Sequence, residues 1–158
     1  MSNTKFRFAN SGDVKLILNF IQQLAEYEKM QSDVIADEAT LKEWIFYKNK
    51  AEVLFAMENG VEVGFALFFH NFSTFLGRAG IYLEDLFVKP EFRKRGHGKA
   101  LIKELAKIAV ERGCGRLELS CLDWNKESID FYLSLGAKQM SDWTVYRFAG
   151  EELKNLSK

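Results

Sequence analysis

Proline is almost absent, Pro90 being the only one in 158 residues. No glycine- or serine-rich stretch takes its place as a linker, so the sequence reads as one domain over 1–158 with a single core. Cysteine is scarce too: Cys114 and Cys121 are the only two, too few for a disulfide framework. The first ten residues are polar with scattered Phe, not a basic stretch leading into an apolar core. The expectation is therefore a cytoplasmic protein with free thiols. Those cysteines and the two histidines, His70 and His97, have no zinc-site spacing, and no metal is expected. Net charge is missing as well, with 22 Lys plus Arg against 22 Asp plus Glu, which argues against a protein made to coat nucleic acid or an anionic membrane. The longest apolar run, Val63 to Phe69, is far short of the ~20 residues needed to span a bilayer.

What the chain does have is clear periodicity. Phe6 and Phe8 alternate with polar residues in a short first strand. Ser11 is expected to cap a helix in which Val14, Ile17, Leu18, Ile21, Leu24 and Ala25 repeat at 3.6 residues. A weaker helix is expected over 37–49, around Leu41, Trp44 and Ile45. Strands at 52–58 and 61–69 flank Asn59-Gly60, a dipeptide that tolerates the two positive φ angles of a tight hairpin. A loop over 71–80 precedes a strand at 81–88. A helix at about 98–112 buries Leu101, Leu105, Ile108 and Ala109. A strand at 116–122, a helix at about 125–135 stopped by Gly136, and a last strand at 145–148 complete the order. A hairpin feeding a βαβ unit implies an α+β fold whose mixed, mostly antiparallel sheet holds a central parallel pair between helices.

One segment points to a ligand. In Arg93-Lys94-Arg95-Gly96-His97-Gly98-Lys99, two glycines bring the backbone within reach of a guest and admit positive φ. The amides there and the start of the next helix make a nest for an anion. Lys89, Arg93, Lys94, Arg95, Lys99 and Lys103 surround it, as suits a ligand with several phosphates. A P-loop is excluded, because Arg93 stands where its first Gly belongs and Ala100 where Ser or Thr would hold Mg²⁺. A dinucleotide fingerprint is excluded by Leu101 at its third small position and by the residues 89–95 between strand and glycines. Nucleic acid is a poor guest, since only Phe92 interrupts the cations with an aromatic.

Arg93-x-x-Gly96-x-Gly98, after a long strand and before a helix, resembles the acetyl-CoA signature of the GNAT superfamily of N-acetyltransferases. Three further segments, Ala25-Glu26-Tyr27-Glu28, Tyr82 to Val88, and Trp124 to Tyr132 with Gly136-Ala137, resemble its spermidine/spermine (diamine) acetyltransferase branch. The resemblance covers nearly the whole chain. It implies that Leu86, Phe87 and Val88 offer main-chain groups to the pantetheine arm of acetyl-CoA. Arg93 and the run from Lys94 through Arg95, Gly96, His97 and Gly98 to Lys99 would cradle the pyrophosphate, with Asn125 and Ser128 beside the cofactor. Tyr132 would protonate the departing thiolate, and Glu84 would handle the amine directly or through water. Tyr27, Glu28, Glu84, Asp85 and Asp142 would line the substrate site. A homodimer is also implied, by resemblance alone. Two departures are visible: Lys126-Glu127 lacks the proline usual before the Ser, and the acidic stretch before Trp143 is reduced to Asp142.

The chemistry asks for a carboxylate at the amine. An alkylammonium of pKa about 10.4 leaves roughly one molecule in 2,500 neutral at pH 7, a deficit of about 4.6 kcal/mol. Glu84 and Asp85 are adjacent on a strand, so only one can face a cleft unless a β-bulge re-aims the chain, and Glu84 is the favoured one. His97, between the two glycines, reads as incidental to proton transfer. Cys121 has no obvious activating pair, so direct transfer is preferred to an acetyl-cysteine intermediate. The acids Glu26, Glu28, Asp33 and Glu84 suit an elongated cation such as a di- or polyamine. Thialysine, a lysine-like amino acid or a protein amine is the alternative within the enzyme class, and a non-catalytic acyl-CoA sensor the alternative outside it.

Overall fold

The computed structural model describes residues 3–158, which fall into two compact units, one ending at Ser120 and the other running Cys121–Lys158. The first unit is a five-stranded sheet with strands in chain order: β1 (Lys5–Phe8), β2 (Glu52–Glu58), β3 (Val61–Ser73), β4 (Arg78–Val88) and β5 (Leu117–Leu119). Neighbours run antiparallel except β4 and β5, which are parallel. Asn59 and Gly60 both take positive φ, 51° and 78°, and close the β2–β3 hairpin as their sequence requires. The β3–β4 hairpin is longer than expected. Its pairing continues to Ser73 and Arg78, so much of the anticipated 71–80 loop is strand.

Each face of the sheet has its own core. On one face α3 (His97–Glu111) lays Leu101, Leu105, Ile108 and Ala109 against Leu54, Ala66, Phe68, Ile81 and Leu83. On the other, α1 (Val14–Tyr27) sets Ile17, Phe20 and Leu24 against Val53, Phe55, Phe65 and Phe87. Phe20 stacks on Phe65 at 5.1 Å between ring centroids and lies 5.9 Å from Phe55, in the offset and tilted geometries that aromatic quadrupoles favour. A short α2 (Glu38–Leu41) passes directly into a π-helical turn, Lys42–Tyr47, whose Ile45 joins the α1 core.

The start of α1 corrects one expectation. Asn10, not Ser11, is the cap. Its side chain accepts from the Gly12 amide at 2.9 Å, while the Asp13 carboxylate accepts from the Asn10 amide at 2.8 Å. Ser11 opens a 3₁₀ turn, Ser11–Asp13, which leads into the helix. Asn10 wins because its longer side chain reaches forward to an orphan amide while Asp13 reaches back, a reciprocal box that Ser11 lacks.

The second unit contains α4 (Lys126–Ser134) and α5 (Gly150–Leu156). The strand expected at 145–148 does not form: those residues belong to no ladder. An alternating pattern makes a strand possible, but only a hydrogen-bonded neighbour makes it one. The α5 helix that follows, with Glu151 and Glu152 in its first turn, was not expected. No helix among the described residues is long and apolar enough to cross a membrane.

Candidate active site

The middle of β4 holds the answer to the choice between Glu84 and Asp85. Opposite it on β3, Leu67 pairs with Asp85 and the next residue, Phe68, pairs with Leu83. Glu84 therefore has no partner and forms a β-bulge. The extra residue reverses the alternation of the strand. Before it, Ile81 and Leu83 face the α3 core; after it, Leu86 and Val88 face that core, while Phe87 faces α1. Parity then puts Asp85 on the α1 side with Phe87, and Glu84 on that side with Tyr82. Both carboxylates thus end on one face, where an unbroken strand would have sent them apart.

A third acid joins them from the end of α1. Burial, and then the charges of Glu84 and Glu28, raise the Asp85 carboxyl to about 7. Burial, and then Glu84, raise Glu28 as well. Three acids sharing a partly desolvated space destabilise one another's charge. Such a cluster can hold a proton near neutrality, and a cation entering it would replace that proton. Tyr27, next to Glu28, lies against the Arg93 guanidinium, 5.1 Å from its ring centroid.

Beyond the bulge β4 also parts from β5. Their parallel pairing covers only Ile81–Leu83 against Leu117–Leu119, so among the described residues of this unit Glu84–Val88 have no second neighbouring strand. Leu86, Phe87 and Val88 are in this stretch, the place where an extended ligand arm could add along an edge. Gly64 lies opposite Val88, where a Cβ would come within 3.0 Å of the Phe87 carbonyl oxygen and 3.2 Å of Val88. Its missing side chain allows β3 and β4 to pack closely just there.

The glycine turn follows. Lys94 and Gly96 both sit in the left-handed region, at φ 62° and 85°, and Gly96 caps the N-terminus of α3. Only glycine takes that conformation cheaply, so Lys94 is held there by its surroundings. The amides of the first turn of α3 have no carbonyl within the helix to bond, and Gly98 keeps that turn clear of a side chain. This backbone fits a pyrophosphate.

The side chains of the turn do something not foreseen. Arg93 donates from Nε to the Val88 carbonyl at 3.0 Å and lies over the rings of Tyr27 and Phe87. Arg95 donates to Glu58 Oε2 at 2.6 Å and covers the Phe92 ring. His97, 3% exposed, reaches Glu58 Oε1 at 3.1 Å through Nε2 and Thr4 Oγ1 at 2.8 Å through Nδ1. Glu58 and Thr4 carry no sequence signal for such a part, because Glu58 ends β2 and Thr4 lies just before β1, both remote along the chain.

In the second unit Asn125 caps α4, its side chain accepting from the Ser128 amide at 3.2 Å. Tyr132 lies one helical turn after Ser128 in α4, edge-on to Phe131 at 5.1 Å. Asp142 is exposed beside Trp143.

Residues 18–137 match the profile of the Acetyltransferase (GNAT) family. The chain is 40% identical to a thialysine N-epsilon-acetyltransferase of Bos taurus, over 99% of both chains. It is 30% identical to human spermidine/spermine N(1)-acetyltransferase-like protein 1, over 99% of this chain and 24% of that one. Among solved structures, an integron cassette protein from the mobile metagenome of V. cholerae superposes with a TM-score of 0.82 at 29% identity, covering 100% of this chain and 99% of the other.

Proposed function

The chain belongs to the GNAT family of acetyltransferases, and we propose that it moves an acetyl group from acetyl-CoA to the primary amine of a small cation by direct attack in a ternary complex, with no acetyl-enzyme stage. The observation that carries this reading is the bulge at Glu84. It turns Glu84 and Asp85 to one face, where Glu28 from the end of α1 joins them, a few residues before the glycine turn, which supports a cation and a polyanion bound near one strand. The GNAT match runs from 18 to 137, through both units, which supports the whole chain acting as one acetyltransferase domain.

When bound, acetyl-CoA supplies the activated acyl group. Leu86–Val88 would hold its pantetheine arm and the Lys94–Lys99 turn its pyrophosphate, with Asn125 and Ser128 beside it. Glu28 and Asp85 would hold the ammonium. Glu84, exposed on the bulge, would take its proton directly or through water, since only the neutral amine attacks. Tyr132 would give a proton to the leaving sulfur, a role that rests on the resemblance of 124–132. Glu84→Gln should lower kcat most at low pH, and Tyr132→Phe should lower kcat roughly 100-fold or more with acetyl-CoA affinity unchanged. An unaltered kcat would remove the residue concerned from the mechanism.

A di- or polyamine suits the acids Glu26, Glu28, Asp33 and Glu84, since separated carboxylates pair with separated charges. Thialysine or a lysine-like amino acid is a second reading, favoured by the names of relatives matching the whole chain. A panel of putrescine, spermidine, spermine, thialysine and lysine, followed by CoA release, separates them. Turnover of only the last two would reject the polyamine. Acetyl-CoA binding with no release for any amine would leave a sensor. A cytoplasmic homodimer completes the proposal, the cytoplasm supported by the free thiols of Cys114 and Cys121 and the dimer by the resemblance.

A further inference from the structure

Three cationic or ionisable side chains of the glycine turn, those of Arg93, Arg95 and His97, are bonded to the protein itself. Two of them converge on one acceptor. Glu58, the last residue of β2, takes Arg95 on Oε2 and His97 on Oε1. The arrangement also fixes the imidazole. A carboxylate can only accept, so His97 Nε2 bears a hydrogen, while Nδ1 meets the Thr4 hydroxyl, a group able to donate or accept, at 2.8 Å. His97 is the first residue of α3 and is buried, so its clamp sets where the helix begins. Arg95 is the residue before the left-handed Gly96, so its clamp sets the approach. The strained φ of Lys94 lies just before this pair, and such a conformation persists only where the surroundings impose it.

We propose that Glu58 is a positioning residue for acetyl-CoA: by holding Arg95 and His97 it fixes the backbone of the Lys94–Lys99 turn in the form that receives the pyrophosphate. This rests on the acetyl-CoA reading of that turn. Glu58 does not touch the ligand in this account; it acts through its two partners. Simple electrostatics gives the opposite sign, which makes the idea easy to test. Removing a negative charge near a polyanion site should tighten binding if charge alone mattered.

The experiment is calorimetric titration of the intact protein with acetyl-CoA, for wild type, Glu58→Gln, Glu58→Ala and Arg95→Gln, together with the double variant Glu58→Gln/Arg95→Gln. Affinity should fall roughly 3- to 10-fold in Glu58→Ala and less in Glu58→Gln, whose amide oxygen still accepts from one partner. KM for acetyl-CoA should rise in step, with kcat and the amine KM nearly unchanged. Arg95→Gln should match Glu58→Gln, and the double variant should lose no more than either single one, as expected of residues acting as a unit. Affinity unchanged or improved in both Glu58 variants would overturn the proposal. So would additive losses in the double variant, which would make Arg95 a direct phosphate contact. If Glu58→Ala does not fold, Glu58→Gln and Arg95→Gln decide the matter. Wild-type protein that fails to bind acetyl-CoA would instead sink the cofactor reading, a result distinct from any of these.

Discussion

An aspartate that titrates at about 7 because burial and two other acids disfavour its charge leaves a mark on stability. Unfolded, the same group titrates at about 3.9. Between those values the folded chain keeps a proton that the unfolded chain has lost, so stability falls as pH rises from about 4 to 7 and levels off above. At 1.36 kcal/mol per pH unit the loss is about 4 kcal/mol, as an order of magnitude. Asp85→Asn removes the titration. Its melting temperature should therefore gain on wild type as pH goes from 5 to 8, measured by differential scanning fluorimetry. A constant difference across that range would show that Asp85 is not the strained acid. Asp13 and Glu62 behave in the opposite sense. Hydrogen bonds from Arg7 hold both below the usual carboxylate range, so their contribution is present above it and fades as pH falls through acid values. The sequence showed Glu84 and Asp85 as a pair and favoured Glu84. That the Asp85 carboxyl is pushed up could not be read there, because burial and the approach of Glu28 depend on the α1–β4 packing.

Among the elements, those set by local rules were legible. The stripes of α1 and α3, the Asn59-Gly60 hairpin and the glycine turn all follow from spacing or from a φ that few residues tolerate. Elements set by a neighbour were not. The 145–148 segment has the alternation of a strand but no ladder. The bulge was anticipated as a possibility, yet its place at Glu84 depends on the β3 register, which only the pairing of Leu67 and Phe68 reveals. The side-chain anchors of the glycine turn were invisible for the same reason, since Glu58 and Thr4 lie 37 and 93 residues from Arg95 and His97 respectively. The cap shows how narrow the local margin is: Asn10 and Ser11 are both good caps, and the partner Asp13 decides between them. Asn10→Ala should therefore cost about 1 kcal/mol, read as a lower urea midpoint at unchanged slope. Ser11→Ala should cost much less. Equal losses would mean that the box at Asn10 contributes nothing of its own.

At the scale of the whole molecule, the residues near the C-terminus present apolar surface. Trp143, Val145, Tyr146 and Phe148 are each more than 60% exposed, and apolar side chains gathered in so short a segment usually serve an interface. The resemblance supplies an occupant, a second copy of this chain, paired through sheets and C-terminal segments. A net charge of zero offers no general repulsion against such pairing. Association of folded copies stabilises by mass action, so a dimer should melt higher as protein concentration rises, whereas a monomer should not. Light scattering of wild-type protein at micromolar concentration should report twice the chain mass of 18.2 kDa. Val145→Asp together with Tyr146→Asp should shift that mass towards one chain, because two desolvated carboxylates facing apolar surface oppose association. The melting temperature of this variant should then lose its dependence on concentration. A monomeric wild type would refute the dimer, and a variant that remains dimeric would move the interface away from this segment.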